Sequence, residues 1–130
     1  MTDLAARPLR RARANAHTLA VTAAPSAIVE QLQDVLGQAL VAVLVHKDVR
    51  TVSRWTSPTS ATSPTRHDDR LLRDALQVQA LLLAVEKPDV VRAWFTGMNP
   101  QLDDVSPIEA LSDGRARDVM AAARAFVNAG

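Results

Sequence analysis

The stretch Ala93–Arg115, AWFTGMNPQLDDVSPIEALSDGR, decides the fold because it is dense in residues that start and stop helices. Asn99–Pro100 forces the chain out of a helix, since the residue before a proline disfavours the α region. Ser106–Glu109 is a start signal, with serine at the N-cap, proline at the first helical position and glutamate three residues after the cap. Asp113–Gly114 then supplies a break. The stretch therefore predicts a loop, a short helix and a last helix.

Apolar spacing on either side predicts further helices. The first follows a Ser26 cap and ends at Gly37, and a long helix opens at Ser63–Pro64 and runs to about Glu86. A short helix follows at Pro88, and the last runs from about residue 115 to 128. The long helix is apolar around more than half of its circumference, so it is the central helix or forms a dimer contact. The apolar residues of these helices are Ile28, Val29, Leu32, Val35, Leu36, Leu71, Leu72, Ala75, Leu76, Val78, Leu82, Leu83, Val85, Val90, Val91, Trp94, Phe95, Val119, Ala122, Ala123 and Phe126.

The segment Gln38–Trp55 has two interpretations. The run LVAVLV, residues 40–45, is short and apolar enough to be a buried strand. Asp48 favours instead a helix that begins at Val49, because aspartate is a good N-cap. We therefore expect two short helices joined by a tight turn. The residues buried between them would be Ala42, Val45, Val52 and Trp55.

The composition favours an all-α protein outside the membrane. Hydrophobic residues make up 48% of the 130 residues, but aromatic residues make up only 3%, which favours close-packed helices. Cysteine is absent, so disulfides and thiolate metal sites are excluded. The apolar run Val78–Val85 is far shorter than the ~20 residues that span a bilayer. We therefore expect a soluble, cytoplasmic protein.

Charge divides the chain into a basic and an acidic half. Residues 1–60 hold seven Lys/Arg and four Asp/Glu, whereas residues 61–130 hold eight and ten. This asymmetry suggests two surfaces with different partners. Residues 1–24 show no sustained period and predict a mobile, basic arm, for which a transit peptide is an alternative. The arm would either contact DNA phosphates or the minor groove, or be a solvated tail.

The helix pair resembles a motif of bacterial helix-turn-helix repressors, A-x-x-x-G-x-x-x-x-x-V-x-R-W. Ala42, Val52 and Arg54–Trp55 match it without gaps, and His46 stands where the motif has glycine at the turn. The resemblance implies that the second helix enters the DNA major groove. The polar side chains that would contact bases and phosphates are Arg50, Thr51, Ser53 and Arg54. The alternative is a helical hairpin with a solvated, arginine-rich face.

The opening stretch resembles the toxin-binding domain of the Xre/MbcA/ParS antitoxins. Their pattern runs as Trp, Asn-Pro, Leu-Gly-Gly, Ser-Pro-Leu-Glu-Leu-Leu and Gly-Arg before a last helix. The residues that match it in order and spacing are Trp94, Asn99–Pro100, Leu102, Ser106–Pro107, Glu109, Leu111 and Gly114–Arg115. Asp103–Asp104 replace the paired glycines. With the helix pair upstream, the resemblance covers about residues 36–130.

This second resemblance implies a type II antitoxin that is helical and forms a homodimer. Its partner would be a RES-domain toxin that destroys cellular NAD, and its last helix would block the active-site cleft of that toxin. The residues that this assigns to toxin binding are Arg115, Phe126, Val127, Asn128 and Gly130. The resemblance also implies repression of the protein's own operon through operator DNA. Trp94, Leu102 and Leu111 have an alternative interpretation as plain core residues.

Residues suited to catalysis or metal binding are sparse. His17, His46 and His67 lie far apart, and no pair has the i, i+4 spacing of a zinc site. The acidic residues of His67–Asp69 lie at a predicted helix start, where they favourably meet the helix dipole. No glycine-rich phosphate loop or nucleophile motif occurs. We therefore expect no enzyme activity, no cofactor and no metal.

The predicted organisation has three parts. Residues 1–24 form the basic arm, residues 25–62 the helix-turn-helix region, and residues 63–130 a helical dimerisation and toxin-binding region. The function this organisation predicts is that of an antitoxin that binds DNA with its first half and a toxin with its second. Two alternatives are a stand-alone helix-turn-helix transcriptional regulator whose C-terminal module serves dimerisation, and a small enzyme.

Overall fold

A computed structural model describes residues 24–129, and all regular structure in this range is helical. The range holds seven α-helices, one 3-10 helix and no strand. The α-helices are α1 Pro25–Leu36, α2 Gln38–Val45, α3 Val49–Trp55, α4 Arg66–Leu83, α5 Pro88–Thr96, α6 Pro107–Ser112 and α7 Ala116–Ala129, and the 3-10 helix is Pro100–Leu102. The all-α prediction is confirmed for these residues. Residues 1–23 of the predicted arm and Gly130 lie outside them.

The first break in the helical chain falls at Gly37, as predicted. This residue ends α1 with φ 83° and ψ 160°, and α2 begins immediately after it. Side chains rarely adopt this backbone conformation, so the position favours glycine. The predicted Ser26 cap is wrong, because Ala24 is the N-cap and α1 begins at Pro25, two residues before the start that a Ser26 cap implies. A proline at the first helical position loses nothing, since its missing N–H would have had no helical partner.

The central helix α4 begins at Arg66 rather than at the predicted Ser63–Pro64. Its N-cap is Thr65, whose hydroxyl accepts from the Asp68 N–H at 3.1 Å while the Asp68 carboxylate accepts from the Thr65 N–H at 3.1 Å. This reciprocal pair satisfies both donors at once, which explains why Thr65 is the cap. The predicted burial on several sides is confirmed, since α4 packs against α1, α2, α5, α6 and α7. Its buried apolar residues are Leu71, Leu72, Ala75, Leu76, Val78, Leu81 and Leu82.

The helix ends after α5 follow the predicted order. Asn99 precedes the 3-10 helix, and its side chain accepts from the Gln101 N–H at 3.0 Å. Ser106 caps α6 by accepting from the Glu109 N–H at 3.3 Å, and α6 ends at Ser112, next to the predicted break. The chain then enters α7, whose buried residues are Val119, Ala122 and Ala123. The sequence signals in this region therefore act locally, as caps and breaks.

One hydrophobic core connects all seven helices. Ile28 of α1, Val52 of α3, Leu72 of α4 and Val119 of α7 are all fully buried in it. The boundary predicted at residues 62/63 falls in the irregular segment between α3 and α4, but residues on both sides of it pack together. No helix in the described part of the chain is long and apolar enough to cross a membrane.

Candidate functional site

The α2–α3 pair forms the first candidate surface. Its four expected buried residues, Ala42, Val45, Val52 and Trp55, are at most 6% exposed. Residues Gln38–Val45 form a helix, which confirms the helical interpretation over a strand. The turn between the helices places His46 in the left-handed region, with φ 56° and ψ 38°. Asp48 then caps α3 by accepting from the Thr51 N–H at 2.7 Å. The two helices therefore meet through a tight turn, with a capped second helix.

The four candidate DNA-contacting side chains lie on the outer side of α3. Arg50, Ser53 and Arg54 are exposed, and Thr51 is half-buried. The Asp48 carboxylate, held by hydrogen bonds from Thr51, has its pKa lowered, and the positive charges of Arg50 and Arg54 lower it further. This carboxylate is therefore ionised at neutral pH and lies beside both arginines. The surface presents two guanidinium groups and a hydroxyl that are free to meet a phosphate or a base edge.

The turn of this helix pair is held by two helices from the second half of the chain. The Ser112 hydroxyl, at the end of α6, donates to the Val43 carbonyl at 3.2 Å and also bonds to the His46 Nε2. The Lys47 ammonium lies 3.8 Å from the buried carboxylate of Asp68, at the start of α4. Two consecutive turn residues thus have partners outside the pair. The sequence motif gave no sign of these contacts, because their members lie far apart along the chain.

A groove of about 640 Å³ lies between the turn and α6. Val43 and Val49, which are 47% and 42% exposed, form its apolar part. Glu109 in the first turn of α6 and Asp113 after its last residue also line the groove. The groove therefore lies next to the N-terminal end of α3.

The loop before α6 contains the paired aspartates. Asp103 and Asp104 both have positive φ, at 59° and 64°. The Asp104 N–H donates to the Asn99 carbonyl at 2.9 Å, and the Asn99 N–H donates to the Val105 carbonyl at 3.3 Å, which closes the loop on itself. Aspartate is one of the few residue types that enter the left-handed region readily. The turn therefore has a backbone that suits glycine and is built here from two aspartates.

Arg115, a predicted toxin-binding residue, contacts its own chain. Its guanidinium lies 3.3 Å from the Asp103 carboxylate and 3.2 Å from that of Asp118, and it donates to the Leu102 carbonyl at 3.4 Å. Its side chain is 31% exposed. These contacts connect the loop to the first turn of α7. In this arrangement Arg115 orients the last helix rather than presenting a free cation.

The other predicted toxin-binding residues lie at the end of α7. Phe126 and Val127 are half-buried and Asn128 is exposed, while Gly130 lies outside the described residues. The Phe126 ring packs on Trp94 with the ring centroids 6.3 Å apart. Residue identity and helical spacing alone do not distinguish these half-buried positions from core positions, so only the structure shows that Phe126 and Val127 keep part of their surface accessible.

Sequence reasoning missed an apolar surface beside this helix end. Val90, Trp94, Met98 and Phe126, which we call the Met98 patch, line a shallow cavity of about 330 Å³. Met98 is 82% exposed. The sequence feature that could have indicated this surface is Met98, a large apolar residue between the end of a predicted helix and the break at Asn99. The patch joins α5 to the end of α7 in one accessible apolar surface.

The acidic residues at the start of α4 have structural partners. Asp68 belongs to the capping box, and Asp69 accepts from Arg73 at 2.7 Å. Among residues 24–129 no three His, Cys, Asp or Glu side chains group closely enough to hold a metal ion. His17 lies outside this range. Comparison with protein-family models, with curated proteins and with solved structures finds no match to this chain.

Proposed function

We propose that the protein is the antitoxin of a type II toxin-antitoxin system, which inhibits a RES-domain toxin that degrades NAD and represses its own operon. The observation that carries the proposal is the backbone of Asp103–Asp104. The resembling family has paired glycines at these two positions, and this chain has two consecutive residues with positive φ there. A pair of glycines is typical of a turn whose residues need positive φ, because glycine adopts positive φ without a steric cost. The two aspartates therefore adopt a backbone that two glycines could also adopt, which supports the resemblance.

The remaining matched residues support the proposal in the same way. Asn99 and Ser106 act as caps, and Gly114 has φ 86°. Leu102 and Leu111 are fully buried, which favours the core interpretation for both. The matched pattern therefore specifies the shape of a module and not a set of exposed contact residues. On this proposal the contacts with toxin come from the Met98 patch and the exposed end of α7, next to the module.

The toxin-binding half is tested by removing only the exposed end of α7. We expect a variant that lacks residues 127–130 to lose inhibition of the toxin, while its melting temperature and DNA binding stay close to those of the full chain. The assay measures NAD consumption by the purified RES-domain protein of the same operon as antitoxin is added. If the shortened chain inhibits as well as the full chain, the proposed role of the last helix is wrong.

The DNA-binding half is tested on the exposed arginines of α3. Arg50→Ala with Arg54→Ala should weaken binding to the promoter duplex of the protein's own operon and lower the slope of log affinity against log salt by about 1 for each phosphate that is no longer neutralised. Arg70→Ala with Arg92→Ala removes the same charge from exposed positions on α4 and α5 and is the matched control. Equal affinities for the two double variants would contradict DNA binding through α3.

A second candidate, a stand-alone transcriptional regulator, is favoured by the capped and exposed α3 alone. In that case the C-terminal module would bind no toxin, and the Met98 patch would serve dimerisation. The two functions differ in one measurement. The protein is co-expressed with the RES-type protein encoded by the neighbouring reading frame. If it is an antitoxin, the two proteins should co-purify as a complex. If it is a stand-alone regulator, they should purify separately.

A further inference from the structure

We propose that Ser112 is a positioning residue for DNA recognition, acting through the side chain of His46. We call this pair of residues the His46–Ser112 latch. The inference rests on the DNA-binding half of the proposed function and extends it to a residue outside the helix-turn-helix region. It assigns to α6, part of the predicted toxin-binding region, a role in setting the turn that precedes α3.

The hydrogen bonds of the latch have a defined direction. A serine hydroxyl has one proton, and Ser112 donates it to the Val43 carbonyl at 3.2 Å. The Ser112 oxygen therefore accepts from His46, whose Nε2 carries the proton. The backbone N–H of His46 also donates to the Val43 carbonyl, at 3.3 Å. Both the backbone and the side chain of His46 are thus tied to the last turn of α2.

The turn needs such support because of the residue that occupies it. A side chain in the left-handed region costs roughly 1–2 kcal/mol compared with its usual conformation. Glycine, which the repressor motif has at this position, adopts it without that cost. Ser112 is only 7% exposed and holds the imidazole from outside the helix pair. The latch therefore supplies through a tertiary contact what glycine supplies through its backbone freedom.

The orientation of α3 depends on this turn. The helix has seven residues and is too short to be stable by itself, so its direction is set by its packing and by the turn that leads into it. Base readout requires side chains to reach base edges in a fixed geometry, whereas attraction to phosphates tolerates displacement. A loosened turn should therefore reduce discrimination between DNA sequences more than it reduces general affinity for DNA.

The test compares His46→Gly, Ser112→Ala and the double variant, with His67→Ala as a control at an exposed histidine outside the latch. Binding is measured by fluorescence anisotropy to the promoter duplex of the protein's own operon and to a scrambled duplex of the same composition. We expect Ser112→Ala to lose about tenfold in promoter affinity and almost nothing in affinity for the scrambled duplex. His46→Gly should keep the promoter affinity, because glycine adopts the turn without the latch. The double variant should bind like His46→Gly, because Ser112 then has no imidazole to hold.

Thermal unfolding of the same variants separates positioning from a general structural role. His46→Gly should keep or raise the melting temperature, because glycine relieves the left-handed backbone, and it should keep promoter discrimination. The latch would be overturned if Ser112→Ala caused the same loss in the wild-type and His46→Gly backgrounds, or if its promoter affinity fell only as far as its scrambled-duplex affinity. If the wild-type chain itself does not prefer the promoter duplex, the DNA-binding proposal fails and the latch fails with it. If the wild-type prefers the promoter and Ser112→Ala keeps that preference, the latch alone is wrong.

Discussion

Three residues with side chains have positive φ in the described part of the chain: His46, Asp103 and Asp104. Each stands where one of the two resembled patterns has glycine. Histidine and aspartate are among the residue types that tolerate this region best. Asp103 also pairs with Arg115 at 3.3 Å, and His46 bonds to Ser112. These residue types tolerate positive φ, and two of the three side chains also have a tertiary partner. The left-handed backbone is therefore kept without glycine.

Substitutions at Asp104 test the left-handed turn directly. Asp104→Val should lower the free energy of unfolding by roughly 1–2 kcal/mol, because a β-branched residue is disfavoured at positive φ. Asp104→Gly should change it by less than about 1 kcal/mol, since relief of strain offsets the greater freedom of glycine in the unfolded chain. Urea denaturation of both variants measures the difference. Equal stability of the two would contradict a left-handed backbone at this position.

Asp74 on α4 makes stability depend on pH. Partial burial raises the pKa of its carboxyl above the ordinary value, and the positive charge of Arg70 opposes part of that shift. The folded state therefore binds this proton more tightly than the unfolded state, so ionisation above the folded pKa costs stability. Asp74→Asn should raise the melting temperature at pH 7, and the gain should disappear as pH falls below the ordinary carboxyl range. A gain that is constant with pH would show that ionisation is not its cause.

At the scale of elements, several predicted helix boundaries are observed and others are displaced by a few residues. Gly37, Asp48 and Ser106 act as predicted, because breaks and caps depend on local backbone chemistry. The starts of α1 and α4 each differ from the prediction by two residues, α1 towards the N-terminus and α4 towards the C-terminus. For α4 the reason is that Thr65 finds a reciprocal partner in Asp68, which a search for a serine-proline pair does not detect.

The last helix has a buried part and an accessible end, and truncation should separate them. Removal of residues 127–130 should cost less than about 1 kcal/mol, because it takes away one half-buried valine. Removal of residues 121–130 should cost about 3 kcal/mol or more, because Ala122 and Ala123 are buried and Phe126 packs on Trp94. Circular dichroism melts of the two truncated chains provide the comparison. Comparable melting temperatures would mean that α7 contributes little to the core.

At the scale of the whole molecule, the two predicted regions depend on each other. The buried Gln79 of α4 donates to the Gln31 carbonyl of α1 at 3.2 Å. Lys47 of the first region pairs with Asp68 of the second, and Ser112 bonds to Val43. Apolar residues from both regions fill one core. A first region that shares its core in this way has no separate hydrophobic interior.

A fragment of residues 1–62 should therefore fail to fold. Without α4 the core faces of α1, α2 and α3 are open to water, and a chain this short retains too little buried apolar surface to offset its conformational entropy. We expect little helical circular dichroism signal and no cooperative thermal transition, whereas the full chain should unfold in a single transition. A fragment with a cooperative melt and native-like helix content would establish an autonomous first domain.

Sequence alone determined the fold class, the order of the helices and most of the buried residues. Apolar period, caps and breaks act over a few neighbouring residues, so they can be recognised in a linear chain. It also indicated which side chains of α3 face outward. Tertiary structure decided the rest: that Arg115 braces a loop, that Met98 and Phe126 belong to one apolar patch, and that Ser112 holds His46. These contacts join residues far apart along the chain, and only the packing of the helices brings their atoms together.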